Sequence, residues 1–170
     1  MSDVLVVGYG NTLRSDDGVG PLAAHVVAAD PRLAQADVLV CHQLTPEIAL
    51  DMRGAALVVL IDATTTAPPG AVTIRELGGA GATAGTTAGG AGAGRGPTTH
   101  HVGAEALLAL SRDLYGAAPA AFVVSVGVAD LDPGEGLTSA VEAALPAVAD
   151  AVARLVAAHR ARAGGGPGPA

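Results

Sequence analysis

The chain has 170 residues, of which 50% are hydrophobic and 15% are charged, and its formal net charge is −7. No apolar stretch approaches the roughly 18 residues that span a bilayer, and no Lys/Arg cluster or aromatic stripe offers a nucleic-acid surface. We therefore expect neither membrane insertion nor nucleic-acid binding, and the length predicts a single domain over residues 1–162. The single cysteine, Cys41, and an N-terminus without a signal-type pattern favour a reducing cytoplasm.

Strand-like and helix-like segments alternate along the chain. A continuous apolar run such as Val4–Val7 is typical of a strand buried on both faces of a parallel sheet. The predicted strands are Val4–Val7, Asp37–Cys41, Leu57–Ile61, Ala71–Leu77 and Phe122–Val126. The predicted helices are Gly20–Ala29, Thr45–Met52, Val102–Tyr115 and Thr138–Arg162, the last with a kink at Pro146. This alternation predicts an α/β fold, a three-layer α/β/α sandwich whose five-stranded, mostly parallel, twisted sheet carries helices on both faces.

Two glycine-rich segments lie outside this alternation. Residues 78–97, "GGAGATAGTTAGGAGAGRGP", contain too much glycine to form a helix or a core, so they predict a loop. Long loops of this kind are either neutral insertions or functional lids, and the sequence leaves both open. Residues 163–170, "AGGGPGPA", predict a disordered tail.

The first predicted strand leads into a glycine-rich loop, "GYGNTLRSDDGVG", at residues 8–20. A strand followed by glycines and a helix is the usual setting of a phosphate site, so a dinucleotide-binding module is one interpretation. However, Asp16 and Asp17 lie inside this loop, where two carboxylates would repel a pyrophosphate and suit a cation. The third glycine of the dinucleotide pattern is also not at its expected place.

Three candidate site residues lie where strands end or helices begin. Asp17 follows the first strand, Asp62 follows the third, and His100 precedes a helix; in a parallel sheet these positions can converge at one edge. Two carboxylates and an imidazole can ligate a divalent transition metal and leave positions open for other ligands. Each residue also has a structural interpretation, since Asp17 and His100 are suited to capping helices and Asp62 to ending a strand before a turn.

Four segments resemble the nickel-iron hydrogenase maturation endopeptidases. The first, "VLVVGYGNTLRSDDGVG", is similar to their N-terminal signature, an apolar strand followed by G-x-G-N-x-L-x-x-D-D/E-x-x-G. The others follow in the family's order: "LVVLIDA", "THHVG" and "GVADLDPGEGLTSAVEAALP". The resemblance extends over roughly residues 3–160. The chain departs from it at "HQLTPE", residues 42–47, where many relatives carry Asp-Gly-Gly-Thr.

The resemblance implies a metal-dependent endopeptidase that removes a C-terminal peptide from the nickel-loaded large-subunit precursor of a hydrogenase. It assigns the catalytic and metal-binding residues to Asp17, Asp62 and His100, with His100 chosen over His101 because the family's histidine stands three residues before a glycine, here Gly103. The nickel is expected to come with the substrate, although another divalent metal would fit the same ligands. The precursor is the implied partner, and a cytoplasmic monomer the implied state.

Several alternatives remain open at this point. A non-catalytic nickel-binding maturation chaperone would use the same three ligands. The metal would serve to recognise the precursor, to catalyse the cut by polarising the scissile carbonyl and activating a water, or to do both. A thiol nucleophile, Cys41 with His42, is disfavoured because neighbours on a strand point to opposite faces. Neither H-E-x-x-H nor G-x-S-x-G occurs, so an ordinary zincin or serine hydrolase lacks support.

Overall fold

The computed structural model describes residues 2–78 and 103–164. The strands in this part of the chain are β1 (Val4–Tyr9), β2 (Asp37–Cys41), β3 (Leu57–Thr64), β4 (Val72–Leu77) and β5 (Ala120–Gly127). The helices are α1 (Val19–Ala29), α2 (Ile48–Met52), α3 (Ala104–Tyr115), α4 (Ser139–Glu142) and α5 (Leu145–Gly164). Short 3-10 turns precede α1 at Ser15–Gly18 and follow it at Pro31–Leu33.

The strands of the described residues form one five-stranded sheet in the order β2-β1-β3-β5-β4. All neighbouring pairs are parallel except β4 and β5, which are antiparallel. This confirms the predicted α/β fold with a mostly parallel sheet. From β1 the chain builds outward on one side to β2 and on the other side to β3, so the strand order reverses between β1 and β3, a place where sites collect in such sheets.

Helices cover both faces of the sheet, as predicted. Because side chains alternate along a strand, Val4 and Val6 of β1 pack on the face covered by α1 and α5, whereas Leu5 and Val7 pack on the face covered by α2 and α3. All four side chains are buried. No helix in the described ranges is both long and apolar enough to cross a membrane.

The last predicted helix is divided in two, so the single helix over Thr138–Arg162 was wrong. The chain leaves α4 at Glu142 and begins α5 at Leu145. Pro146 has no N–H to donate to the carbonyl group four residues earlier, so it is accommodated in the first turn of a new helix instead of within a longer one. Helix α5 then continues to Gly164, two residues into the segment predicted to be a disordered tail; the rest of that tail lies outside the described residues.

Helix α2 is also shorter than the predicted Thr45–Met52. The segment that leads into α2 has hydrogen bonds between residues three positions apart. They include the Ile48 N–H to the Thr45 carbonyl and the Ala49 N–H to the Pro46 carbonyl. Such bonds form tighter turns of the 3-10 type, so the α-helix proper begins only at Ile48. Of the predicted glycine-rich loop 78–97, only Gly78 lies within the described residues.

Candidate active site

Two glycines allow the loop after β1 to fold back closely on the sheet. Gly10 has a φ of +145°, and a Cβ atom there would lie 2.0 Å from the Asp17 carbonyl oxygen. A Cβ atom on Gly20 would lie 2.2 Å from the Tyr9 carbonyl oxygen. Any side chain at these two positions would push the loop away, so the glycines serve close main-chain packing that brings Asp17 beside the end of β1.

Six N–H groups of this loop donate to partners within the protein. Asn11 N–H donates to Asp17 Oδ2 at 3.1 Å. Other N–H groups donate to main-chain carbonyls, namely Gly10 to Cys41, Arg14 to Asn11, Ser15 to Gly134, Asp16 to Asp130 and Asp17 to Arg14. A phosphate cradle needs such N–H groups free to face an anion. The loop geometry therefore disfavours the dinucleotide interpretation.

The two adjacent aspartates of the loop have different environments. Asp16 is completely buried, and its carboxylate accepts hydrogen bonds from the N–H groups of Ala129, Asp130 and Thr138 and from the Thr138 hydroxyl. Burial raises the pKa of Asp16, but these hydrogen bonds outweigh it and hold the pKa below its ordinary value. Asp16 therefore anchors the loop to the segment between β5 and α4.

Asp17 lines an open cleft of about 940 Å³ at the carboxyl ends of the parallel strands, and Asp62 lines the same cleft. Asp17 does not cap α1, because the N-cap position is Gly18 and no side chain donates or accepts there. Asp62 does not end its strand either, since β3 continues to Thr64. Asp17 thus makes no cap of α1 and Asp62 does not end β3, and the fold brings both carboxylates to one cleft.

The electrostatics of the cleft centre on Asp62 and Tyr9. Burial raises the pKa of the Asp62 carboxyl and the nearby Asp17 charge raises it further, while interactions with the Tyr9 hydroxyl and the Ala63 N–H partly oppose this. Burial and then the Asp62 charge raise the pKa of Tyr9 far above its ordinary range, so the phenol stays protonated and can donate to Asp62. Two neighbouring carboxylates in a half-buried place are stabilised by a bound cation.

The third predicted ligand, His100, lies outside the described residues, as does His101. Across residues 2–78 and 103–164, no group of three or more His, Cys, Asp or Glu side chains is placed to hold a metal ion. The structure thus brings two of the three predicted residues together, and the histidine ligand stays a prediction.

Two features of the cleft were not identified from the sequence. One is Tyr9, although the alternation Leu5, Val7, Tyr9 along β1 would have placed it on the same face as the cleft. The other is an ion pair at the rim, in which Arg75 Nη1 lies 2.6 Å from Glu105 Oε1. These two residues are 30 positions apart, and no local pattern connects them.

The thiol alternative gains no support from the structure. Cys41 packs against the apolar core on the α2 and α3 face, and His42, not Cys41, lines the cleft. Burial raises the pKa of the Cys41 thiol, and a hydrogen bond from the Gln43 main chain opposes this only in part. A raised thiol pKa leaves less of the reactive thiolate.

Comparison with solved structures identifies proteins of the same fold. The hydrogenase maturating endopeptidase of E. coli is 20% identical, with a TM-score of 0.64 over 89% of this chain and 90% of that chain. A hydrogenase 2 maturation peptidase from a Thaumarchaeota archaeon is 23% identical, with a TM-score of 0.64 over 92% and 99%. The NiFe hydrogenase maturation protease of Thermococcus kodakarensis is 20% identical, with a TM-score of 0.64 over 91% and 99%.

These likenesses confirm the expected fold, since the chain and the solved maturation endopeptidases superpose over nearly their whole lengths. No protein-family model and no curated protein matches the sequence significantly. Because these identities are 23% or less, the comparison shows the fold that carries the cleft with Asp17 and Asp62.

Proposed function

We propose that this chain is an endopeptidase that removes a C-terminal peptide from the nickel-loaded large-subunit precursor of a nickel-iron hydrogenase, acting as a cytoplasmic monomer. The observation that carries the proposal is the meeting of Asp17 and Asp62 in one open cleft at the point where the strand order reverses. The solved maturation endopeptidases share this fold, which supports the same class of reaction here.

In this proposal the nickel belongs to the substrate, and Asp17 and Asp62 recognise it. Both donors are carboxylates, and the cost of keeping Asp62 ionised beside Asp17 is relieved when a cation binds between them. His100 is the proposed third ligand. Since two or three ligands do not complete the coordination of a divalent metal, the precursor's own ligands hold the nickel at the remaining positions.

The chain's residues prepare the site by fixing the two carboxylates. Asp17 is held by the Asn11 N–H, while Asp16 anchors the loop behind it. The Tyr9 phenol stays protonated beside Asp62 and can donate to its carboxylate. A nickel ion bound there would supply Lewis acidity at the scissile carbonyl. The open cleft leaves space for a polypeptide on either side of the carboxylates.

The direct test is to incubate the purified chain with nickel-loaded and nickel-free precursor and to measure the mass of the large subunit. We expect shortening of the nickel-loaded form alone, and loss of shortening in Asp17→Asn and Asp62→Asn. Asp51→Asn, an exposed carboxylate on α2 outside the cleft lining, is the matched control and should cleave normally.

The other outcomes separate the alternatives. Tight binding of the nickel-loaded precursor without shortening would identify a chaperone instead of a protease. Equal shortening of the nickel-free precursor would overturn recognition through the metal. An unaltered precursor that does not bind would overturn the proposed function as a whole.

A further inference from the structure

The cleft extends across the whole breadth of the described sheet. Its lining includes His42 directly after β2, Tyr9 of β1, Asp62 of β3, Ser125 of β5 and Thr73 of β4. Neighbouring strands lie about 4.8 Å apart, so the four intervals between these strands span roughly 19 Å, the length of about six extended residues at about 3.3 Å each. The two carboxylates occupy the middle, which leaves an arm of the cleft on each side.

The arm on the β4 side contains a row of hydroxyl groups that begins at Asp62. In the strand register Asp62 is paired with Ser125, and Ser125 is paired with Thr73. Residues directly opposite each other on paired strands point to the same face of the sheet, so these three side chains share one row. The next row on this face is Leu60, Val123 and Arg75, and because Leu60 and Val123 belong to the apolar core, the hydroxyl row lies at the edge of that core.

The chemistry of this row suits a peptide main chain. A hydroxyl group both donates and accepts hydrogen bonds, so it can pair with the N–H or the carbonyl group of a polypeptide whatever its side chains are. Thr73 Oγ1 donates to the Ser125 carbonyl oxygen at 3.4 Å, which holds the threonine side chain in the row and leaves its oxygen free to accept from a substrate N–H. The Arg75–Glu105 ion pair joins β4 to α3 at this end of the cleft and bounds the arm.

We propose that Ser125 and Thr73 form a main-chain binding subsite that positions an extended segment of the substrate polypeptide on one side of the scissile bond. The inference rests on the proposed function and adds a specific place for the polypeptide next to the metal-recognising carboxylates. Both residues are proposed to bind the substrate main chain, and neither is one of the metal-recognising carboxylates. The subsite binds substrate and transition state alike, so its loss raises KM and leaves kcat nearly unchanged.

The test measures cleavage of the nickel-loaded precursor by Thr73→Val, Ser125→Ala and the double variant. We expect KM to rise about 3- to 10-fold for each hydroxyl removed, as for the loss of one ordinary hydrogen bond. Thr73→Ser keeps the hydroxyl and should restore KM close to that of the wild type. Thr65→Val, on the exposed turn after β3 and outside the cleft lining, is the matched control.

The outcomes distinguish this subsite from the proposed function. If the wild type does not shorten the precursor, the proposed function fails and the subsite falls with it. If the wild type cleaves and the Thr73 and Ser125 variants match Thr65→Val, the subsite alone is overturned. A fall in kcat at constant KM would also overturn it. Thermal unfolding of each variant identifies any whose KM rises because the variant is misfolded. In that case the recovery of a normal KM in Thr73→Ser shows whether the hydroxyl group itself binds the substrate.

Discussion

Asp16 and Thr138 are joined by two hydrogen bonds across 122 residues of chain, from the Thr138 N–H to Oδ1 at 2.7 Å and from its hydroxyl to Oδ2 at 3.0 Å. This contact fastens the loop after β1, which contains Asp16 and Asp17, to the segment that enters α4. The preceding residue, Ser15, has a φ of 47°, an uncommon conformation for a side chain other than glycine. The anchor and the turn at Ser15 together direct Asp16 inward and leave Asp17 at the cleft.

Replacing Asp16 by Asn should destabilise the fold. The amide keeps one acceptor oxygen but places an NH₂ group among N–H and O–H donors, so at least one buried donor loses its partner. We expect the free energy of unfolding to fall by about 1–3 kcal/mol, measured by urea denaturation. Asp17→Asn is the matched control, because Asp17 accepts one N–H bond that Asn can also accept, and its stability should change little. Equal losses in both variants would contradict the anchoring role.

The contribution of Asp16 should also depend on pH. Its pKa is lower in the folded chain than its ordinary value, so the stabilisation is complete above the unfolded pKa, about 3.9, and disappears as the pH falls through the lower folded pKa. Asn does not titrate. The difference in unfolding free energy between wild type and Asp16→Asn should therefore be constant from about pH 7 to pH 5 and narrow below about pH 4. A difference that persists unchanged at pH 3 would contradict this.

Much of the architecture was predictable because its strands are short apolar runs. Val4–Val7 and Leu57–Ile61 are hydrophobic without alternation, which is typical of strands covered on both faces, and both lie in the observed β1 and β3. The strand ends were less predictable. Tyr9 and Asp62 are polar residues that follow apolar runs, yet main-chain pairing extends β1 to Tyr9 and carries β3 past Asp62 to Thr64.

Local sequence patterns could not predict which distant groups of the site contact each other. Adjacent Asp16 and Asp17 are chemically identical in the sequence, and only the tertiary contacts of Thr138 and Ala129 distinguish the anchor from the cleft residue. The same holds for Ser125 and Thr73, which become neighbours only through the antiparallel register of β4. The resemblance singles out Asp17 of the pair as a ligand, and of the two aspartates it is Asp17 that lines the cleft, whereas its role as a ligand stays a prediction.

Asp62→Asn should stabilise the fold at neutral pH while it abolishes cleavage. The pKa of Asp62 is raised in the folded chain by burial and by the Asp17 charge, so above that pKa the ionised carboxylate costs stability. The gain for Asn should be largest near pH 7 and should vanish as the pH falls below the unfolded pKa, about 3.9. Thermal unfolding between pH 4 and pH 7 measures it. A loss of stability at pH 7 would contradict the assigned electrostatics.

Gly20→Ala should be poorly tolerated. Its Cβ atom would lie 2.2 Å from the Tyr9 carbonyl oxygen and 2.7 Å from the Ile61 carbonyl oxygen, so α1 would have to move away from β1 and β3. We expect a cost of about 1–3 kcal/mol in unfolding free energy, and slower cleavage because the loop carrying Asp17 moves with the helix. Gly103→Ala is the control for stability, since no atom of residues 2–78 or 103–164 lies within 4 Å of its Cβ position. Equal unfolding midpoints for the two variants would contradict close packing at Gly20.

The histidine prediction separates His100 from its neighbour His101. His100→Ala removes the proposed nitrogen ligand and leaves Asp17 and Asp62, so the nickel-loaded precursor should bind more weakly and be cleaved slowly or not at all. His101→Ala should cleave nearly as well as the wild type. Precursor binding and the mass of the large subunit, measured for both variants under one condition, check the two parts. A larger defect for His101→Ala would mean that the ligand is the other histidine, and normal cleavage by both variants would remove His100 and His101 from the proposed site.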